Sequence, residues 1–246
     1  MSTVRGARER ARIEITAAIK DEAKKQLAAE GAAKLSLRAV ARELGMASSA
    51  LYRYFPSRDE LLTALIVDAY DSVGASAEAA HRAARAEDAS PLARWLAVTR
   101  AVRDWALAHP HEYALIYGSP VPGYSAPQTT IGPASRVAHV LIAVAADAYR
   151  TEGLTPPPLA GDLRAEAERL VADFAPGLPA ESAAPLVAAW SQLFGLISSE
   201  VFGQFHRVVE NREVFFREAV TALGLAVGLR GAGAARRSGG KRPPTP

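Results

Sequence analysis

Residues 36–65, SLRAVARELGMASSALYRYFPSRDELLTAL, have the pattern of two short helices joined by a tight turn and followed by a third helix. Ser36 is a good N-cap for the first helix, whose apolar residues recur at helical spacing. Gly45 suits the left-handed position that ends a helix. Pro56 interrupts the second helix, and Ser57 suits the N-cap of the third. This arrangement predicts a helix-turn-helix that reads DNA.

The second of these helices begins with four small residues, 47–50, and continues with two tyrosines and an arginine. A small N-terminal turn can approach the major groove closely, where serine hydroxyls reach base edges and alanine methyls contact thymine. Tyrosine and arginine can donate to phosphates, which fix the register on the duplex. A small helical hairpin with solvated tyrosines and arginines is the alternative that the spacing leaves open. The candidate DNA-contacting residues are Ser36, Arg38, Ala47, Ser48, Ser49, Tyr52, Arg53, Tyr54 and Arg58.

This stretch resembles the DNA-binding domain of the TetR family of bacterial transcriptional repressors. The family pattern has an alanine and a glycine around the turn, then leucine-tyrosine-x-tyrosine/histidine-phenylalanine, a basic residue and two leucines. The matching residues are Val40-Ala41, Leu44-Gly45, Leu51-Tyr52-Arg53-Tyr54-Phe55, Arg58 and Leu61-Leu62. The resemblance implies an all-α fold, with an N-terminal three-helix helix-turn-helix DNA-binding domain and a C-terminal helical domain for ligand binding and dimerisation.

Charge is distributed unevenly along the 246 residues. Residues 1–58 hold 12 basic and 6 acidic side chains, residues 230–246 hold five basic and none acidic, and the middle of the chain is acidic. Basic ends around an acidic middle are typical of a protein that touches DNA with one end, although ordinary charge scatter is the alternative. Residues 1–8 are expected to be a loose arm whose arginines either reach DNA or stay solvated. Residues 230–246 predict a disordered basic tail.

Apolar periodicity and proline or glycine breaks predict the order of the remaining elements. A helix over about residues 11–30 completes the DNA-binding domain of residues 1–57, because the hairpin alone has too few apolar residues to fold. A fourth helix, residues 58–80, connects it to a ligand-binding and dimerisation domain of residues 81–229. Residues 105–127 resemble part of a TetR subgroup common in actinobacteria and are interpreted as a structural corner. Further helices are expected at 91–109, 136–149, 162–174, 182–205 and 212–229.

Aromatic and aliphatic side chains are concentrated in the second domain. The resemblance implies an apolar pocket between its helices, where hydrophobic side chains and a few polar groups would hold an effector. Plain core packing is the alternative for each residue taken singly. The candidate pocket residues are Trp95, Val98, Val102, Trp105, Tyr113, Tyr117, Leu141, Trp190 and Phe194.

The last two predicted helices have the pattern of a pairing surface. Small residues recur every four positions down the first of them, which would let another helix approach closely. The resemblance implies a four-helix dimer interface, and packing of the stripe within the same chain is the alternative. Glu200, a lone acid in this helix, is interpreted as a paired or interface carboxylate. The candidate interface residues are Val187, Ser191, Gly195, Ser199, Gly203, Phe216 and Val220.

Composition argues against several other classes of protein. The chain has no cysteine, which excludes disulfides, thiolate catalysis and cysteine-ligated zinc, and which fits a reducing cytoplasm. No apolar run approaches about 18 residues, so no transmembrane helix is expected, and the N-terminus lacks the apolar region of a signal peptide. The five histidines have no metal-ligand spacing, and no nucleotide-binding or hydrolase motif occurs. We therefore expect a cytoplasmic protein without an active site, a metal or a cofactor.

The sequence predicts a homodimeric, ligand-responsive, sequence-specific transcriptional regulator, with repression as the expected mode. Its expected partners are a pseudo-palindromic operator in double-stranded DNA, a second copy of itself and a small apolar effector of unknown identity. One rival is a non-specific architectural DNA binder, which would have no operator preference and no cavity. The other is a helical small-molecule-binding protein or enzyme with an incidental helix-turn-helix, which would have no DNA affinity at low salt.

Overall fold

The computed structural model describes residues 2–151 and 153–231, with side chains from residue 6 onward. The described residues are helical apart from turns, loops and one isolated bridge between Leu154 and Leu229, so the predicted all-α class is confirmed. The predicted basic tail lies outside the described residues from residue 232 on, as does the side chain of Arg5. The helices are α1 (Ser2–Glu30), α2 (Leu37–Glu43), α3 (Ser48–Leu51), α4 (Arg58–Ala86), α5 (Pro91–Ala108), α6 (Pro110–Tyr117), α7 (Ile131–Arg150), α8 (Arg164–Phe174), α9 (Ala183–Val201) and α10 (Arg212–Val227).

The chain forms two compact units, and each unit is built from two separate parts of the sequence. The first comprises residues up to Ser72 together with His109–Ala134, and the second comprises Val73–Ala108 together with residues from Ser135 on. This division differs from the domain boundaries that the sequence predicts at residues 57 and 80. The change of unit falls inside α4 rather than at either end of it.

The first unit has one apolar core, to which α1, α2, α3 and α4 all contribute. Ile19 of α1, Val40 of α2, Leu51 of α3 and Leu61 of α4 are all fully buried. The predicted support of the helix-turn-helix by the first helix is therefore present. Because these four helices share one core, the short helices α2 and α3 do not depend on their own limited apolar surface.

α1 begins at Ser2, so the prediction of a loose arm over residues 1–8 is wrong for residues 2–8. Residues 7–14, ARERARIE, are rich in alanine, arginine and glutamate, which are good helix formers. The helix propensity of these residues extends α1 toward the N-terminus from the part that packs in the core, despite the glycine at position 6. The side chains of residues 7–14 are exposed.

Three local signals in the first unit have the roles that the sequence predicts. The Ser36 hydroxyl accepts a hydrogen bond from the Ala39 N–H at 3.4 Å. The Ser57 hydroxyl accepts one from the Glu60 N–H at 3.1 Å. Gly45 has a φ of 63°, in the left-handed region that ends α2. These contacts satisfy N–H groups that a helix start leaves unpaired, and they fix where α2 and α4 begin.

The segment His109–Ala134, predicted as part of the second domain, packs on the core of the first unit instead. The hydroxyls of Tyr124 and Thr63 lie 2.8 Å apart. The Tyr70 hydroxyl donates to the Ile116 carbonyl at 3.2 Å. These bonds, together with apolar contacts from α6 and the proline-rich loop after it, attach the segment to the first half of α4. The interpretation of this loop as a structural corner missed that role.

α5 is the central helix of the second unit. Trp95 is fully buried, and its indole N–H donates to the Val220 carbonyl of α10 at 2.9 Å. Gly224 permits this close approach, because a Cβ there would lie 3.0 Å from Trp95 and 2.7 Å from Leu92. The absence of a side chain on one turn of α10 thus makes room for the largest buried side chain of α5.

A buried charge cluster joins α5, α9 and α10. The Arg103 Nε and Nη2 atoms each donate to a Glu200 carboxylate oxygen at 2.7 Å. Nη1 donates to Glu213 at 2.5 Å, and the guanidinium lies 5.1 Å from the ring centroid of Phe216. The side chains of Arg103 and Glu200 are only 7% and 5% exposed. The hydrogen bonds that Arg103 donates, first to Glu200 and then to Glu213, raise the pKa of Arg103, and Glu200 is a paired carboxylate as predicted.

α9 and α10 are each shorter than the sequence predicts. α9 ends at Val201 rather than residue 205, and Gly203 and Arg207 then have φ values of 77° and 59°. The Asn211 side chain caps the start of α10. Gly228, with a φ of 99°, ends α10 two positions before the predicted end at residue 229. Left-handed conformations stop a helix even where apolar periodicity continues, which explains both corrections.

α7 and α8 also begin at positions other than the predicted ones. α7 begins at Ile131 rather than residue 136, since Pro133 lies in its first turn, where no N–H donor is required. A 3₁₀ turn, Gly161–Leu163, precedes α8. Asp162 therefore lies in that turn, and α8 begins at Arg164 rather than at the predicted residue 162.

The span Gln128–Arg150, which includes α7, is long and apolar enough to cross a membrane by length and composition. A core helix of a soluble protein passes the same test. α7 buries Val137, Val140, Leu141 and Val144 within the protein. Its Arg136 side chain makes two bonds to Glu78, at 2.8 and 2.9 Å.

Candidate DNA-binding surface and effector cavity

The predicted reading helix is a single exposed turn. α3 spans Ser48–Leu51, with Ala47 as its N-cap, so it is shorter than the predicted helix of residues 47–54. Ala47, Ser48 and Ser49 are all exposed, whereas Leu51 is fully buried and anchors the turn in the core. The three small side chains are thus accessible to a DNA groove. Their contacts with bases stay a prediction.

The aromatic stretch after α3 divides into an exposed part and a buried part. Tyr52 is 41% exposed and Arg53 is exposed as well, so both can meet a phosphate. Tyr54 is partly buried against the core, and Phe55 is buried within it. The Tyr54 N–H donates to the Leu51 carbonyl at 2.8 Å, an i→i+3 bond that tightens the chain after the helix.

The remaining candidate DNA contacts lie at the starts of α2 and α4. Arg38 is exposed. Ser36 is partly buried, and its hydroxyl is engaged by the backbone of α2. Arg58 donates from Nη2 to the carbonyl oxygens of Ala32 and Ala33, at 2.9 and 3.3 Å. Arg38 is therefore open to a phosphate, whereas the guanidinium of Arg58 is already bound to the protein backbone.

In the second unit, α7, α8 and α9 surround a partly open cavity of about 200 Å³. Among its described lining residues there is no Asp, Glu, Lys or Arg, and Ser135 and His139 supply the polar side chains. The Ser135 hydroxyl lies 3.5 Å from the Nδ1 atom of His139. The cavity is lined by Ser135, Ala138, His139, Leu141, Ile142, Leu170, Val171, Phe174, Ala175, Ala183, Leu186, Val187 and Trp190.

Only two of the nine predicted pocket residues, Leu141 and Trp190, line this cavity. The four α5 residues predicted there lie in the core of the second unit instead: Trp95, Val98, Val102 and Trp105. Phe194 is buried one turn along α9 from Trp190, with ring centroids 5.3 Å apart. Apolar periodicity identifies the buried face of a helix but does not separate core positions from cavity positions.

The two predicted pocket tyrosines belong to the first unit. Tyr113 is fully buried, and its ring centroid lies 5.1 Å from that of Tyr117. Tyr117 packs edge-on against Tyr70 of α4, at 5.9 Å between centroids. Burial, followed by the neighbouring tyrosines, raises the pKa of Tyr117 well above its usual range. These tyrosines therefore help to hold α6 on α4 rather than line the cavity.

Sequence reasoning missed the contribution of α8 to the cavity. Leu170, Val171 and Phe174 line it, and Phe174 is 57% exposed although it is a large apolar side chain. A signal was present, because these apolar residues recur at i, i+1 and i+4 near the end of a short helix otherwise rich in charge. An apolar stripe on a helix requires another surface to cover it. Its position directly before a proline-glycine break indicates that it lies at the edge of the packed core.

The exposed side of α9 presents small residues, as predicted for the dimer interface. Ser191 and Gly195 are exposed, and Ser199 is partly exposed. Both serine hydroxyls donate to carbonyls of their own helix at 2.9 Å, so they leave no strong unpaired donor on this face. A Cβ on Gly195 would meet no atom within 4 Å. This side of the helix is open to a second helix, and the interface itself stays a prediction.

Three other predicted interface residues lie elsewhere. Phe216 and Val220 are only 4% and 1% exposed, so they pack in the core of their own chain and not on its surface. The helical spacing that puts these two residues on one face of α10 therefore identifies the face that is buried within the chain. Gly203 lies beyond the end of α9, whereas Val187 is 50% exposed one turn before Ser191 and also lines the cavity. Phe215 of α10 is exposed beside the buried Phe216.

Comparisons with known proteins agree with both parts of this architecture. Residues 19–65 match the profile described as bacterial regulatory proteins of the tetR family. Residues 95–223 match the profile described as a tetracyclin repressor-like C-terminal domain. HTH-type transcriptional regulators of Mycobacterium tuberculosis and Mycobacterium bovis are 42% identical over 213 residues, which cover 81% of this chain and 86% of theirs.

Solved structures share the fold. The regulatory protein SCO4313 is 35% identical with a TM-score of 0.73, covering 87% of this chain and 97% of its own. RolR, solved in complex with the ligand resorcinol, is 13% identical with a TM-score of 0.51, covering 94% of each chain. The two profiles, the mycobacterial relatives and the shared helix-turn-helix architecture establish that this chain belongs to the TetR family of bacterial DNA-binding transcriptional regulators.

Proposed function

We propose that this chain is a homodimeric repressor, and that it leaves its operator when a small apolar molecule occupies the cavity between α7, α8 and α9. The cavity carries the proposal, because a partly open apolar space beside an otherwise packed core is what a small-molecule site requires. The architectural DNA binder, which needs no such cavity, is correspondingly less favoured. A cytoplasmic location, where operator and effector meet, is part of the proposal.

Operator recognition in this proposal combines sparse base contacts with phosphate contacts. Two copies of α3 would enter successive major grooves about 34–36 Å apart, which makes the operator a pseudo-palindrome. Ser48 and Ser49 are the exposed hydroxyls available to base edges, and Ala47 offers a methyl. Tyr52 and Arg53 would hold phosphates. With few groups to read bases, affinity should depend strongly on salt concentration.

The lining of the cavity favours an uncharged effector. A charged molecule would lose hydration without meeting an opposite charge, which is costly in an apolar site. Ser135 and His139 could bind one hydroxyl or carbonyl of the ligand, and Trp190 and Phe174 could stack on a ring. RolR, which shares the fold, was solved with resorcinol. We therefore favour a neutral cyclic molecule with one or two polar groups.

Release of the operator requires the effector to bind a DNA-incompetent state more tightly than the competent one. By linkage, operator DNA then weakens effector binding by the same factor. α4 contributes residues to both units, with the change at Ser72, so it is our candidate for the element that transmits the effect.

Selection of binding sites from random DNA, with and without a mixture of neutral metabolites, tests the proposal. We expect one pseudo-palindrome to be enriched, and its recovery to fall when the mixture is present. The control is Ala138→Phe, which fills the cavity and should keep operator binding but lose the response. Enrichment without any preferred site would favour the architectural binder, and no DNA binding at low salt would favour the incidental helix-turn-helix. A reporter gene behind the selected operator then separates repression from activation.

Pairing through α9 is tested separately. Gly195→Leu places a bulky side chain on the exposed small-residue face and should lower the dimer fraction in sedimentation. Gly132→Leu is a matched control, since Gly132 is also an exposed helical glycine and a Cβ added to it would meet no atom within 4 Å. A dimer unaffected by Gly195→Leu would place the interface elsewhere.

A further inference from the structure

Arg58 occupies the position at which the sequence predicts a phosphate contact, yet its guanidinium is turned toward the protein. Nη2 donates to the Ala32 carbonyl at 2.9 Å and to the Ala33 carbonyl at 3.3 Å. Nη1 donates to Asp59 at 3.3 Å. The side chain is 28% exposed. Arg58 thus links the start of α4 to a backbone turn that precedes α2 in the sequence.

The turn that Arg58 binds is the connection between α1 and α2. Gly31, with a φ of 79°, leads out of α1 into a 3₁₀ turn, Ala32–Lys34. Leu35 follows and is buried in the core. The Ser36 N–H is bound by the Gln26 side chain of α1 at 3.4 Å. Two side chains therefore hold this short connection: Gln26 of the preceding helix α1 and Arg58 of the later helix α4.

The connection decides where α2 begins relative to α4. The starts of these two helices border one groove of the first unit, with Ser36 and Arg38 on the α2 side and Ser57 and Arg58 on the α4 side. The exposed Tyr52 lies in the same groove. A shift of the turn would move Arg38 away from Tyr52, and two groups that must meet the same DNA backbone would no longer match it.

We propose that Arg58 is a positioning residue for operator binding: by binding the carbonyls of Ala32 and Ala33, it sets the start of α2 against the start of α4. This role rests on operator binding as proposed above. The planar guanidinium suits it, because a rigid fork holds two adjacent carbonyls at once. A lysine has the same charge but holds them less well, so charge and geometry can be separated by substitution.

The test compares Arg58→Lys and Arg58→Met with the wild-type protein and with Arg53→Met, a substitution of an exposed arginine in the same unit. Operator affinity is measured by fluorescence anisotropy over a series of KCl concentrations, on the site selected by the wild-type protein. Hydrogen exchange of the free protein is measured for the peptide covering residues 31–38, for the rest of the first unit and for α5 as a reference, together with the melting temperature. Failure of the wild-type protein to select a site would count against the proposed function and would leave the exchange experiment to judge Arg58.

A positioning role predicts that both Arg58 variants lose at least about tenfold in operator affinity, since Arg58→Met loses the charge-assisted hydrogen bonds and Arg58→Lys lacks the fork that holds both carbonyls. The slope of log affinity against log salt should stay that of the wild type. Exchange should accelerate in residues 31–38 of Arg58→Met and not in α5. Arg53→Met should behave in the opposite way, with unchanged exchange and a slope that is smaller by about 0.9 per phosphate contact, or about 1.8 for a dimer.

Three results would overturn the proposal. Unchanged exchange in residues 31–38, with a slope reduced as in Arg53→Met, would make Arg58 a direct phosphate contact. Faster exchange throughout the first unit together with a lower melting temperature would make it a general stabilising residue. Full operator affinity in Arg58→Lys would show that charge at this position is sufficient and that the fork is not needed.

Discussion

Substitution of Arg103 should lower the unfolding free energy of the second unit by more than the loss of its side-chain packing alone would. Arg103→Met leaves the Glu200 carboxylate, which is 5% exposed, without the two hydrogen bonds of 2.7 Å that neutralise it. Breaking a buried pair from one side costs about 3–5 kcal/mol, because the remaining charge is stranded. That is a large share of a typical unfolding free energy of about 5–15 kcal/mol.

A double-mutant cycle separates stranded charge from lost packing. Glu200→Met should cost less, about 1–3 kcal/mol, because Arg103 keeps its bond to Glu213, which is 53% exposed. The double variant carries no charge at either buried position. We expect it to be more stable than Arg103→Met by about 2 kcal/mol, since well-packed apolar residues can replace a buried ion pair at little cost.

Urea unfolding followed by tryptophan fluorescence reports on this cycle directly. All three tryptophans, Trp95, Trp105 and Trp190, lie in the second unit. Protomer concentration must be held constant, because dimerisation would contribute to the apparent stability. The reasoning would be refuted by a double variant no more stable than Arg103→Met. A loss below about 1 kcal/mol in Arg103→Met would equally refute it, since water would then be solvating Glu200.

Three further outcomes are expected. Tyr52→Phe should weaken operator binding in a gel-shift assay with an unchanged melting temperature, because this exposed hydroxyl is a candidate phosphate donor; equal affinity would remove it from the surface. Gly228→Ala should lower the unfolding free energy by at least about 2 kcal/mol more than Gly177→Ala does. Both glycines have a positive φ, but only a Cβ on Gly228 would lie 2.2 Å from a backbone carbonyl oxygen. Similar losses for the two variants in urea unfolding would mean that strain in φ accounts for the whole effect. Burial lowers the pKa of His81 below its ordinary 6.5, against the opposing effect of Asp147. The unfolded chain therefore binds the proton more readily, and thermal stability should fall as the pH drops below about 6.5. His81→Gln should reduce that fall, and an unchanged pH profile would show that His81 is not its source.

The parts of the fold that the sequence predicts well depend on local chemistry. Ser36, Gly45 and Ser57 act within one helical turn of their own positions, so their identity alone specifies a cap or a stop. The pairing of Glu200 was also predictable in kind, because a carboxylate in an apolar helix requires a partner. Its partner was not predictable, since Arg103 lies 97 positions away and is one of many arginines.

The errors arise where periodicity identifies a face but not what covers it. Phe216 and Val220 repeat at helical spacing whether the covering surface belongs to the same chain or to a second copy. The same ambiguity placed Trp95 in a pocket, although its indole is bonded to the backbone of α10. Arg58 shows the complementary limit, because its charge suggested a phosphate while the carbonyls that bind it come from a turn 26 positions earlier.

The attachment of His109–Ala134 to the first unit has a consequence for how the chain is made. During synthesis the α3 turn leaves the ribosome early, but the residues that bond to Thr63 and Tyr70 emerge only after α5, which belongs to the other unit. The first unit therefore has to wait, with part of its apolar surface uncovered, until more than half of the chain has been translated. A truncated product that stops before α6 should consequently be a substrate for proteases rather than a premature competitor for the operator.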